Sequence, residues 1–259
     1  MSGPSTAEVR MRAGAAVESV TTEKPSAAVH DPLCARAVVF DNGETRVAIV
    51  GIDLGNASEK LVADVRRLVE EQASIPAGHV LINASHNHRT HGQTAEDAAE
   101  RIAQAVRRAT ESLAPVKIGM CKGREDRITM NRRLRLKDGK EWTIRRANPS
   151  ARDEEVAGVG PMDPEIGILR VDRVEGGTLV VLYNFACHPY AGVPDGGVTA
   201  DLPGFASRVV EEGVGGDAPV ALFLQGAGGD ITPMRYKDWD APPHTEQLGT
   251  MLGLSVLEG

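Results

Sequence analysis

Apolar residues along this chain switch between two spacings, and the switches fall at clusters of Gly, Pro, Asn and Asp. Runs 35–40 and 46–52 are short and rich in β-branched residues. Between them, Asp41-Asn42-Gly43 supplies the positive-φ residues of a tight hairpin turn. The second run is apolar almost throughout, as expected of a strand covered on both faces. Leu61, Val62, Val65, Leu68 and Val69 then recur at helical spacing, with Asn56 as the expected cap and Glu59 at the third helical position. Pro76 and Gly78 close that helix and lead into a buried strand at 79–83. A longer helix is expected over about 94–113, with its stripe on Ala98, Ile102, Ala105, Val106 and Ala109 and its stop at Pro115. A strand follows at 116–120.

Further strands are expected at 142–144 after the turn Asp138-Gly139-Lys140, and at 166–171 and 178–185 around Glu175-Gly176-Gly177. A helix runs to about Glu211, a strand occupies 219–224, and a last helix covers about 244–257. This order predicts an α/β fold: one domain over 31–259 with a mixed, mostly apolar central sheet flanked by helices. Residues 1–30 have weak periodicity and are expected as a loosely structured segment or an edge strand, 9–20 being the stretch able to pair. Residues 123–163 are polar and basic, an expected surface excursion.

Composition and charge change the picture further. Aromatics are only 3% of the chain, so the core must be built largely from Val, Leu, Ile and Ala. A net charge of -7 argues against non-specific binding to nucleic acid. No window approaches the roughly 20 apolar residues of a membrane span, and the first 20 residues have no signal-type apolar core. Cys34, Cys121 and Cys187 are odd in number and unpaired in spacing, which reads as reduced thiols in a cytoplasmic protein.

The candidate chemistry sits where strands end. Ser85-His86-Asn87-His88-Arg89-Thr90-His91-Gly92 holds three of the seven histidines. His86 and His88, two residues apart, would project to one side if the backbone stayed extended. His188 follows the strand at 178–185 and precedes Pro189. Asp53 follows another strand, and Gly226-Ala227-Gly228-Gly229-Asp230-Ile231-Thr232 follows a fourth. A single histidine after a strand is more often structural; agreement among several strand ends argues for a site. If the strands are parallel, their ends meet on one edge, where open α/β sheets bind ligands. His86, His88 and His188 then form a candidate metal set, since neutral imidazole suits zinc and similar ions. Asp53, Asp201 or Asp230 could add a carboxylate. The glycine loop matches neither the dinucleotide fingerprint nor the P-loop. His30, His79 and His244 have no such company and read as structural.

Several motifs occur in a telling order: Ile49-Val50-Gly51-Ile52-Asp53-Leu54-Gly55, Ser85-His86-Asn87-His88, Asn131-Arg132, Asn184-Phe185-Ala186-Cys187-His188-Pro189, Thr199-Ala200-Asp201-Leu202-Pro203-Gly204 and Gly229-Asp230-Ile231-Thr232-Pro233. Together they resemble the amino-terminal catalytic domain of neutral/alkaline ceramidases, from about residue 12 onward. The resemblance implies a zinc-dependent amidase acting on a small-molecule amide such as an N-acyl lipid. It implies His86 and His188 as zinc ligands, His88 and Arg132 in the active site, and Thr232 at the place of an active-site serine hydroxyl. Two more zinc ligands of that family, a Glu and a Tyr, come from sequence beyond position 259. The chain departs from the family pattern at Arg89-Thr90-His91, which replaces Ser-Gly-Pro, and at Thr232 itself. Two other readings stand beside this one: a metal-dependent hydrolase of another amide or ester, and a non-catalytic metal- or ligand-binding relative.

Overall fold

The computed structural model describes residues 11–144, 151–233 and 245–259. The expected hairpin is present. Strand β2 (Cys34–Asp41) pairs antiparallel with β3 (Arg46–Ile52), and Gly43 takes a φ of +89° in the turn. Strand β1 (Arg12–Ser19) corrects the expected edge strand. It pairs along its whole length with β2 and, by Arg12 and Ala13, with β5 (Ala114–Arg124), so it lies inside the sheet. Its alternation explains this: Ala13, Ala15 and Val17 face an apolar layer while Arg12 and Glu18 reach out to Leu113 and Arg108.

Helix α1 (Glu59–Ala73) leads from β3 to the parallel strand β4 (Val80–Ala84). Its cap is Ser58, whose hydroxyl accepts from the Leu61 amide, and not Asn56. Helix α2 (Ala98–Glu111) starts four residues later than its sequence suggests. Thr94 is held in a bridge with Thr21, and the Ala95 amide donates to Val20, so this stretch stays extended.

The second half mirrors the first. Strand β10 (Glu165–Arg173) lies between β5 and β11 (Thr178–Phe185), antiparallel to both. Helix α3 (Asp201–Val214) carries the chain to β12 (Val220–Gln225), parallel to β11, and α4 (Thr245–Glu258) packs on α3. The sheet order is β12-β11-β10-β5-β1-β2-β3-β4. Its halves face each other across a shared apolar layer that includes Ala13 and Val38 from one and Val180, Leu182 and Leu222 from the other. Helices α1 and α2 cover the outer face of the first half and α3 and α4 that of the second. The apolar strands are therefore covered on one face by helices and on the other by the opposite half-sheet.

The polar stretch 123–163 has more order than a surface excursion. Strand β7 (Arg133–Leu136) pairs with β8 (Glu141–Thr143) and β9 (Val156–Val159), burying Leu134 completely. A two-residue strand β6 (Met130–Asn131) pairs with β13 (Ile231–Thr232), tying this unit to the loop after β12. Among its described residues most charges are exposed. Among the described residues, no helix is long and apolar enough to cross a membrane, and the three cysteines are unpaired. His244 lies outside the described residues, while His30 and His79 bond locally to Asp31 and to the Arg46 carbonyl.

Candidate metal centre

Four strand ends converge, in two pairs set by parallel pairing and brought together by the packing of the halves. The carboxyl ends of β3 and β4 belong to one half and those of β11 and β12 to the other. The halves are joined there by Gln225, whose amide donates to Asn83 Oδ1 at 2.8 Å and whose side chain donates to the Cys187 carbonyl. Above this junction stand three imidazoles. His86, His88 and His188 bring their ligand atoms within 4.8 Å of one another. Ring centroids are 4.7 Å apart for His86 and His88, 4.5 Å for His86 and His188, and 4.8 Å for His88 and His188.

The route to this convergence differs from strand alternation. Strand β4 stops at Ala84, and His86 takes a left-handed φ of +62°, unusual for a residue with a Cβ. The turn is held by backbone bonds from Ser85 to Ile52 and from Asn87 to Leu54. Buried Asn87 donates to the Thr199 carbonyl and accepts from the Arg89 amide. Arg89 donates to the carbonyls of Tyr190 and Ala191, and the His88 amide donates to Pro189. The histidine loop and the His188 loop are thus stitched together across the two halves.

Tautomers follow from these partners. His86 Nδ1 lies 2.9 Å from the Gly55 carbonyl and His188 Nδ1 lies 3.3 Å from that of Gly228. A carbonyl only accepts, so in the neutral ring each Nδ1 carries the hydrogen and each Nε2 keeps its lone pair. Metal-binding histidines are oriented in this way. His86 Nε2 and His88 Nε2 are 3.2 Å apart, close to the ~3.3 Å edge of a tetrahedron with zinc–nitrogen bonds of ~2.0–2.1 Å. Burial, with nearby His86 and Arg132, pushes His188 down to about 4 and also lowers His88. Both rings are neutral near pH 7, as ligation requires. The residues present therefore fit a metal ion with imidazole ligands.

The other expected residues fall around this group. Arg132 reaches the Gly229 carbonyl with Nη2 at 2.5 Å, and its charge bears on both His88 and His188. Thr232 is fully buried, with its hydroxyl bonded to that of Tyr190. The three aspartates do not join the histidines. Asp53 is buried against Arg36 at 2.9 Å and the Cys34 amide. Asp201 accepts from the Gly192 and Leu202 amides and from Thr245. Asp230 accepts from Asn131 at 2.9 Å. Tyr190 is the residue that sequence reasoning passed over. Its ring centroid stands 5.5 Å from that of His188 and 6.5 Å from that of His88, edge-on to both. The available signal was its place two residues after His188, beyond Pro189.

No protein-family model matches this sequence, and a search of curated proteins found no match. Solved structures are similar in fold. A ceramidase described as complexed with C2 superposes with a TM-score of 0.71 and 19% identity, over 97% of this chain and 44% of its own. A neutral ceramidase from Pseudomonas aeruginosa gives 0.72 and 18%, over 97% of this chain and 45% of its own. The chain has the fold of these ceramidases and spans less than half of their length.

Proposed function

We propose that this chain is a zinc-dependent hydrolase of an amide bond, of the ceramidase type, acting on a small-molecule amide with N-acyl lipids in range. The observation that carries this reading is the three-imidazole group, with the Nδ1 hydrogens of His86 and His188 committed to backbone carbonyls. His86 and His188 would hold the ion through Nε2. When bound, zinc supplies an acidified water and a Lewis acid for the amide carbonyl. His88 is held neutral and within reach, so it would accept a proton from the attacking water. The new C–O bond forms in that step, and His88 would then return the proton to the leaving nitrogen as the C–N bond breaks, giving a carboxylate and an amine. Arg132, anchored on Gly229 beside the rings, would offset negative charge gathering on the carbonyl oxygen. A cytoplasmic setting, inferred from the three cysteines, is part of the same proposal.

The test is metal content by elemental mass spectrometry on protein purified without a histidine tag, paired with turnover of N-acyl amides. About one zinc per chain is expected. His86→Ala and His188→Ala should each drop it well below one and abolish hydrolysis. Full metal retention in both variants would remove the site. Bound zinc with no turnover of any amide would leave a metal-binding protein and end the hydrolase reading.

A further inference from the structure

Tyr190 is half-buried at the edge of the histidine group and held from several directions. Its backbone carbonyl takes the Arg89 guanidinium at 2.8 Å, and its neighbour Pro189 takes the His88 amide. Its ring stands edge-on to His188 and His88, and the Arg132 charge bears on it. Its hydroxyl bonds that of Thr232, which is fully buried. A side chain with no exposed surface is poorly placed to meet a substrate. Tyr190 meets that buried hydroxyl with its own while its ring borders the imidazoles.

The geometry points to Tyr190 as the group that meets the substrate here: a hydrogen-bond donor to the carbonyl oxygen of an amide lodged over the three histidines, with Thr232 as its positioning residue. Either oxygen can donate in the Tyr190–Thr232 bond. With Thr232 donating, the phenolic O–H is released to point at the substrate oxygen. The rigid ring keeps that donor in place before reaction, which is what makes such donors effective as charge builds on oxygen. No bond to Tyr190 forms or breaks. The inference rests on the amide-hydrolase reading and adds a residue to it.

The experiment compares wild type, Tyr190→Phe, Thr232→Val and Thr232→Ser, all zinc-loaded. Metal content, kcat and KM on an N-acyl amide, and affinity for methylphosphonate by calorimetry are measured. Methylphosphonate carries its negative charge on tetrahedral oxygens, as the addition intermediate does. Tyr190→Phe should keep its metal and its KM while kcat falls roughly 100-fold or more and phosphonate binding weakens at least tenfold. Thr232→Val should follow in the same direction, and Thr232→Ser should keep most of the phosphonate affinity. Wild-type kcat and phosphonate affinity in Tyr190→Phe would overturn the inference and leave the hydrolase reading standing. A wild-type protein that binds phosphonate through Tyr190 but hydrolyses no amide would sustain the donor and overturn the hydrolase. Loss of metal in Tyr190→Phe would make the residue structural and also overturn it.

Discussion

His188 holds two constraints at once, an Nδ1 hydrogen given to a carbonyl and a lone pair on Nε2, and the second needs the neutral ring. Burial and the neighbouring His86 and Arg132 keep it neutral, with a pKa held near 4 in place of the usual 6.5. The consequence for the metal-free protein has a definite sign. Between those two values the unfolded chain binds the proton and the folded chain does not, so stability rises with pH there. The contribution is complete above about pH 6.5 and drains away as pH falls towards 4. His88 is shifted the same way and adds to the slope. Urea unfolding of metal-free protein across pH 4–7 should show this rise, and His188→Asn should flatten it in part. An unchanged slope in that variant would mean that His188 titrates normally in the fold. At this scale the sequence was informative about the imidazoles, since three histidines at strand ends are a chemical signal. For Tyr190 it offered only a place two residues after His188, because a tyrosine shows no ligand pattern until the loop from Gly226 to Thr232 is seen beside it.

Among the elements, the strand ends and the start of α4 were legible, and the starts of α1 and α2 were not. β-Branched runs and the Asp41-Asn42-Gly43 turn state their conformation locally, whereas the cap of α1, expected at Asn56, falls two residues later at Ser58. What decided it was the reach of Ser58 to the Leu61 amide at 3.2 Å. The late start of α2 was set by Thr21, seventy-odd positions away in sequence, which no local pattern reports. The α3–α4 contact is governed by another residue choice. A Cβ built on Gly249 would sit 2.4 Å from Phe205 Cβ and 2.8 Å from the Leu202 carbonyl. A backbone oxygen cannot rotate away as a side-chain tip can, so the helices would have to separate. Gly249→Val should therefore cost about 1–3 kcal/mol, read as a lower denaturant midpoint with an unchanged m-value. A midpoint equal to wild type would show that this helix pair has slack.

At the scale of the whole molecule, the spacing between the two half-sheets sets the spacing of the histidines. His86 and His88 ride on the half that contains β4, and His188 rides on the half that contains β11. The sequence announced strands covered on both faces, but their partner across the apolar layer could not be read from any one segment. Gly51 marks how tightly that layer is closed. It lies on β3, two residues before Asp53, and a Cβ there would meet the Phe223 carbonyl oxygen at 3.0 Å and Leu222 Cδ2 at 3.2 Å on β12. A valine at this position must push β12 outward, and β12 carries β11 with it through six paired residues. His188 follows Phe185 on β11, so the displacement is passed to one imidazole while Gly55 continues to hold His86. An ion that needs its imidazole nitrogens about 3.3 Å from one another tolerates little of this. Gly51→Val should accordingly weaken zinc binding at least about tenfold, the scale seen when ligand orientation is disturbed. Competition with a chromogenic chelator measures this, at a temperature where circular dichroism shows the variant folded. Gly51→Ala, with less bulk to accommodate, should fall between. A folded Gly51→Val protein with wild-type zinc affinity would mean that the histidines are positioned by their loops alone, and that the stitching through Arg89, Asn87 and Pro189 overrides the sheets beneath it.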